Sequence, residues 1–313
     1  PATLTFPPGR ERLTGMGFIE SISSSRQKLL LLLSSGFAFI AMGIAQSMYG
    51  PFYELFRSTY SLSAAGVSTI TALHFGGATL AVAASGTLSR RVGAFPVVIA
   101  AAALLTLGYV GIAASPGWSW VLLSASVLGL GFGGLVSLNF LVARLFPVYA
   151  ASTLSLLNAL FSAGSMVGPV LASPFVARGI YWPAFLLGGA LALVVVLLFV
   201  LQHPSSEGAP EKTVPLPRSK AAVTQIGFFL LLYFFYVSSE TGFANWIPTH
   251  LTLGYDAAVA STLTSLFWVA LTAGRLIAVP VATKLRPSHI IAGSVALAIL
   301  ASGVAHITAL GPA

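Results

Sequence analysis

Apolar residues in this chain come in long runs, not in strict alternation with polar ones. Nine runs stand out, at about 29–56, 62–88, 96–114, 118–144, 149–176, 181–202, 222–252, 256–282 and 288–309. A helix needs about 20 mostly apolar residues to cross roughly 30 Å of hydrocarbon. Barrel strands would be alternating segments of about 10 residues, and these runs are longer and do not alternate. The pattern therefore predicts nine membrane-spanning helices. Many are rich in Gly, Ala and Ser, which lets helix backbones approach closely in lipid.

Composition agrees with the pattern. Hydrophobic residues make up 57% of the chain and charged ones only 7%, with a mean hydropathy of +0.93. A soluble domain carries about a quarter charged residues, so too few are present to build a water-facing surface. Cysteine is absent, which excludes a disulfide framework and a thiolate metal site. The net charge of +8 does not indicate nucleic acid, because the basic residues sit at helix ends instead of in one patch. The first run is too long for a signal peptide, and eight more follow it.

Those basic residues orient the chain. Thirteen of the fifteen Lys and Arg residues fall on one side when the spans are threaded alternately, leaving Arg57 and Arg178 on the other. By the positive-inside rule the N-terminus is cytoplasmic. With nine spans, Ala313 would then be extracytoplasmic. The chain opens on Pro1, and its first fifteen residues bear Pro and Arg without apolar periodicity. The expectation is a fragment of a longer protein whose translation starts at Met16.

A polar stretch near 203–221 carries four prolines, a glycine and mixed charge, the composition of an unpackable linker. It divides the chain into a cytoplasmic segment with a six-helix bundle (1–28 and 29–202) and a three-helix remainder (222–313). The remainder weakly repeats the first part. A shift of 195 residues lays Ser61, the expected cap of the second span, on Asp256, the expected cap of the eighth. The same shift lays Arg91 on Arg286, and Tyr49-Gly50-Pro51 falls close to Trp246-Ile247-Pro248. Such repeats are how many transporters are built, and a matching second half would bring three further helices, twelve in all.

At this point the residues carry a family resemblance. The loop Ser85-Gly86-Thr87-Leu88-Ser89-Arg90-Arg91-Val92-Gly93 resembles the helix 2–3 signature of the major facilitator superfamily, with Ser89 where that family commonly has Asp. A second copy runs from Gly274-Arg275-Leu276 to Lys284-Leu285-Arg286-Pro287. Within the superfamily the chain is similar to the fucose:proton symporters and their glucose-transporting relatives. The stretches concerned are Gly129-Leu130-Gly131 to Asn139; Leu156-Leu157-Asn158, Phe161, Gly164 and Gly168-Pro169; and Tyr236-Val237 through Glu240, Gly242, Asn245, Trp246 and Pro248. Where fucose-type members have acids, this chain has Gln46-Ser47 and Leu135, so those positions do not support fucose-type proton coupling. The resemblance implies an all-α, major-facilitator-type bundle, with a complete N-terminal half and the first three helices of the second.

Glu240 is the most informative single residue. It lies mid-span, and a carboxylate at membrane depth costs on the order of 3 kcal/mol or more. It is therefore protonated, paired or facing water, as a coupling or sugar-binding carboxylate would be; a buried interhelical hydrogen bond is the plainer alternative. Helical spacing puts Glu240, Phe243 and Trp246-Ile247 on one stripe, with Asn245 and Thr249 a quarter-turn aside. An aromatic plate beside amide and carboxylate groups suits a sugar, although Trp246 near a helix end also suits an interfacial anchor. Gln46, Asn139 and Asn158 are further candidates for substrate hydroxyls, or else for interhelical hydrogen bonds. His74 is a candidate proton relay beside Glu240, against a core histidine. Gly86, Arg90, Arg91 and Arg275 are read as gate and orientation charges, while Gly164, Gly168 and Pro169 are packing and kink residues.

The reading is a secondary active transporter of the inner membrane, monomeric, working by alternating access between two halves. The resemblance implies a monosaccharide or similar small polar solute, coupled to H⁺ or Na⁺, and no cofactor. A drug or metabolite exporter of the same superfamily and a transport-inactive fragment are the alternatives. An enzyme is not expected: no paired carboxylates, phosphate-cradling Gly loop, His-rich metal set or Ser-His-Asp set is evident in the sequence.

Overall fold

The computed structural model describes residues 26–202, 220–282 and 287–309. Among these residues the regular structure is helical, without strands. The helices are α1 (Arg26–Ser47), α2 (Tyr49–Tyr60), α3 (Ala64–Val92), α4 (Ala94–Ala113), α5 (Trp118–Leu135), α6 (Leu138–Leu145), α7 (Ala150–Val176), α8 (Trp182–Val200), α9 (Lys220–Leu251), α10 (Ala257–Ala282) and α11 (Pro287–Ala309). Eight helical segments are long and apolar enough to cross a membrane, and the ninth run is helical with an apolar stretch at Ile291–Gly303. Of the expected linker, 203–219 lies outside the described residues, and so do residues 1–25 of the expected N-terminal segment.

Two spans are broken where the sequence alone suggested single helices. The first divides at Met48. Pro51 has no N–H to offer the carbonyl of Ser47 four residues back, so the helical ladder fails there. The fourth divides at Val136–Ser137, where short i to i+3 bonds run from Val136 N to Gly133 O and from Ser137 N to Gly134 O. Ser137 Oγ adds a bond to Gly134 O at 2.6 Å. A tightened turn of this kind inside a helix is a common hinge.

Helix caps correct one expectation. The cap of α3 is Ser63, whose Oγ accepts from Gly66 N at 3.0 Å. Ser61 instead takes a left-handed conformation (φ 52°) that closes α2. Asp256 caps α10 as expected, its Oδ1 accepting from the N–H groups of Ala258 and Val259.

Within the first six spans, α1 packs on α7 and α8, α5 lies against both α3 and α4, and α4 packs on α8. Glycine permits the closest of these approaches. A Cβ on Gly164 would strike the carbonyl of Ile40, and one on Gly129 the carbonyl of His74. Polar contacts tie each end of the bundle. Tyr60, Ser115 and Tyr181 join their hydroxyls at 2.8–3.2 Å at the end poor in basic residues. At the basic-rich end, Gln202 Nε2 donates to Ser34 Oγ and Lys28 sits 5.9 Å above the ring of Phe146. Meanwhile Leu80, Leu107 and Leu123 project outward. Such apolar exposure is unfavourable in water and natural against lipid. The chain is a multi-pass membrane protein.

By internal contacts the chain forms two compact units, Pro1–Leu266 and Phe267–Ala313. The first contains α1 to α9 and the start of α10. The second contains the rest of α10 and α11, with Phe267 and Trp268 meeting edge to face at 5.3 Å.

Candidate functional site

Span seven comes up against the second segment of span one, α9 on α2. The contacting stripe of α9 is Thr241, Ala244, Asn245 and Pro248, all buried, at the i, i+3, i+4, i+7 spacing of one helix face. This corrects the expected stripe through Glu240 and Phe243, since Phe243 is 57% exposed. Asn245 lies on the packed face, not a quarter-turn off it. Gln46 directs Nε2 at Thr241 Oγ1 across the seam at 3.5 Å, the long limit of a hydrogen bond. Both side chains are buried, as is Asn245, whose Nδ2 donates to Thr241 O at 3.0 Å. One turn along, Tyr53 and Trp246 meet edge to face with centroids 5.2 Å apart.

A second seam lies beside it, between α7 and α10. Ser261 Oγ donates to Pro169 O at 2.7 Å and Ser265 Oγ to Met166 O at 2.8 Å. Ser173 Oγ donates to Ala258 O at 2.9 Å and accepts from Thr262 Oγ1 at 3.1 Å. Between the two seams a cavity of about 210 Å³ is lined by residues of all four helices or their ends, including Glu54, Ser58, Thr249 and Thr252. Glu54 is paired with Arg57 one turn on, at 2.9 Å. Every one of these contacts lies toward the end of the helices that is poor in basic residues.

The remaining candidates spread around this core. Glu240 is half-buried, with Oε2 shielded from solvent, one residue before Thr241. Asn139 is half-buried and immediately follows the α5–α6 break. Asn158 is exposed on α7, and its Nδ2 donates to Leu154 O. Trp246 is half-buried against Tyr53. Span seven is an unbroken helix through Gly242, so it is not opened there in this state.

His74 is placed apart, inside the first half. It is 1% exposed, 3.1 Å from Tyr49 Oη through Nδ1, and its ring meets Phe75 and Phe132 edge-on. Gly86, Arg90 and Arg91 are exposed at the end of α3, and Arg90 donates to Thr87 Oγ1 at 3.1 Å. Arg275 is in α10 and its side chain lies outside the described residues, as do Lys284 and Arg286. Among the described residues no group of three or more His, Asp or Glu could hold a metal. Thr241, Ser261 and Ser265 were missed in the sequence, because a lone hydroxyl in an apolar run satisfies itself on its own helix as readily as across a seam.

Residues 35–312 match the Major Facilitator Superfamily. Among curated proteins, a TsgA homolog of Citrobacter koseri is 27% identical over 172 residues, covering 53% of this chain and 44% of the relative. The TsgA protein of Escherichia coli is 27% identical over 154 residues, covering 47% of this chain and 39% of its own length. Less than half of either relative is therefore spanned. A crystal structure of a D-xylose–proton symporter matches with a TM-score of 0.62 at 17% identity, covering 82% of this chain and 69% of that one.

Proposed function

This chain belongs to the major facilitator superfamily, and from that premise we propose that it carries out ion-coupled transport of a small hydroxylated solute, most readily a monosaccharide, across a bacterial inner membrane. The carrying observation is the convergence of Gln46, Thr241 and Asn245 where the last turn of α1 and the start of α2 meet α9, with Glu240 beside it. Amide and hydroxyl groups that can both donate and accept are what a polyol requires. The motif likeness to fucose-type symporters and the fold shared with a D-xylose–proton symporter support the same substrate class.

With the basic-rich side cytoplasmic, the closed seams lie at the outer face, so the conformation is one open toward the cytoplasm. Exposure of Asn158 on α7 fits a solute path reached from that side. Glu240 takes the coupling ion, because it adjoins the seam, whereas His74 is enclosed by the first half. Proton-driven export of an apolar compound is the competing activity in the same superfamily.

Counterflow of a labelled hexose panel in proteoliposomes, using the full-length protein and Glu240→Gln, tests the reading. Glu240→Gln preserves exchange and abolishes ion-driven accumulation. Accumulation that survives the substitution rejects the coupling role, and indifference to every sugar rejects the substrate class.

A further inference from the structure

Two contacts of span one with α9, one from the last turn of α1 and one from the first turn of α2, share an unusual property: each joins residues 195 apart, the shift at which the sequence weakly repeats. Gln46 meets Thr241, 195 residues away, and one turn later Gly50 meets Asn245 at the same separation. In a two-fold arrangement only residues beside the axis touch their own equivalents. Two such pairs one helical turn apart are what an axis relating the halves would produce if it ran between the α1–α2 junction and α9.

Gly50 is the tightest point of that line. A Cβ built there falls 2.8 Å from Asn245 Cα, 2.9 Å from Asn245 O and 3.0 Å from Ala244 O. All three are backbone atoms of α9, so no rotamer change can relieve the clash. Gly43 and Gly164 are more tightly crowded, but by the backbones of α7 and α1, inside one half. Their crowding is the same however the halves are disposed. That at Gly50 exists only while the two halves are closed at this end.

We propose that Gly50 is a positioning residue for transport, setting by its missing side chain how far the protein favours the state closed at the Tyr53–Trp246 end. Strain confined to one of two states displaces the equilibrium by its full amount. A single methyl at Gly50 therefore shifts the population toward the state open at that end, and a larger side chain shifts it further. The inference rests on the two halves separating and rejoining as proposed above, but not on the identity of the solute.

These 313 residues contain no cysteine, so a single reporter placed in them is clean once any cysteine elsewhere in the full-length protein is replaced by serine. Ser261→Cys places one in the neighbouring seam, where Ser261 is fully buried. Its rate of modification by a membrane-impermeant maleimide is measured in vesicles bearing the full-length protein, with and without Gly50→Ala. The expected result is a rise of about tenfold with protein level maintained, the factor expected when closed-state strain of about 1.4 kcal/mol moves a two-state equilibrium. Gly242→Ala, where a Cβ meets nothing within 4 Å, leaves the rate unchanged. Adding Asn245→Ala to Gly50→Ala does not restore it, because the obstruction is backbone. As a second readout, spin labels at Ser58 and Thr252 gain a longer-distance population in Gly50→Ala. Labelling and distances identical to those of Gly242→Ala would overturn the proposal. So would a loss of folded protein matching that of Gly43→Ala, which would make Gly50 a packing residue of the bundle. A protein that moves no sugar yet shows the labelling rise retires the substrate and keeps the gate; one that accumulates sugar with flat labelling does the reverse.

Discussion

Tyr49 and His74 are joined inside the six-helix half, the tyrosine hydroxyl 3.1 Å from Nδ1 of the imidazole, with both side chains buried to 2% exposure or less. The pair links α2 to α3 one residue away from Gly50, beneath the aromatic layer of Phe132 and Phe185. A histidine so enclosed is expected to hold helices together.

Tyr49→Phe accordingly lowers stability by about 1 kcal/mol, the net worth of a buried hydrogen bond. Thermal unfolding in detergent reads that loss. The pH profile of uptake stays where it is in the parent; a displaced profile would return His74 to the coupling machinery.

Glycines of the first half divide sharply by what surrounds them. Gly129→Ala drives a methyl into the carbonyl of His74, and overpacking of this kind costs about 1–3 kcal/mol. The expected result is a lower thermal midpoint and less folded protein in the membrane. Gly86→Ala meets only the end of Arg90, at 3.8 Å, so stability is not lowered and gains up to about 1 kcal/mol from helix propensity. A fall in transport by Gly86→Ala at normal protein level would then report on gating at the α3 terminus.

Pro51 breaks the first span by withholding one donor. Pro51→Ala supplies an N–H to the carbonyl of Ser47 and lets α1 and α2 merge, a gain on the order of 1 kcal/mol. A raised thermal midpoint with slower turnover is expected if the break at Met48 flexes during the cycle. Differential scanning fluorimetry and initial uptake rates measure the two effects separately. Unchanged turnover would make the break a static feature.

The spans themselves were written in the sequence. Hydrocarbon leaves a backbone no partner but its own helix, so run length and polarity suffice to locate the nine helical runs to within a few residues. Even the cap at Asp256 followed from local chemistry. The breaks at Met48 and Val136 did not, because Pro51 and the Gly133-Gly134 pair signal a weak point without saying whether neighbours will straighten it. Helical periodicity set Glu240 and Phe243 on one stripe with Asn245 aside, but it could not show that the Thr241–Asn245 face is the one that packs. Both faces are mixed polar and apolar, so composition does not separate them.

That choice belonged to the tertiary structure. Sequence alone determined that this protein is a bundle of membrane helices, since burial in lipid acts on each segment independently. Which residues meet between spans one and seven, Gln46 with Thr241 and Gly50 with Asn245, was decided only by packing. Close approach of two backbones is a property of the pair, and neither helix carries it by itself.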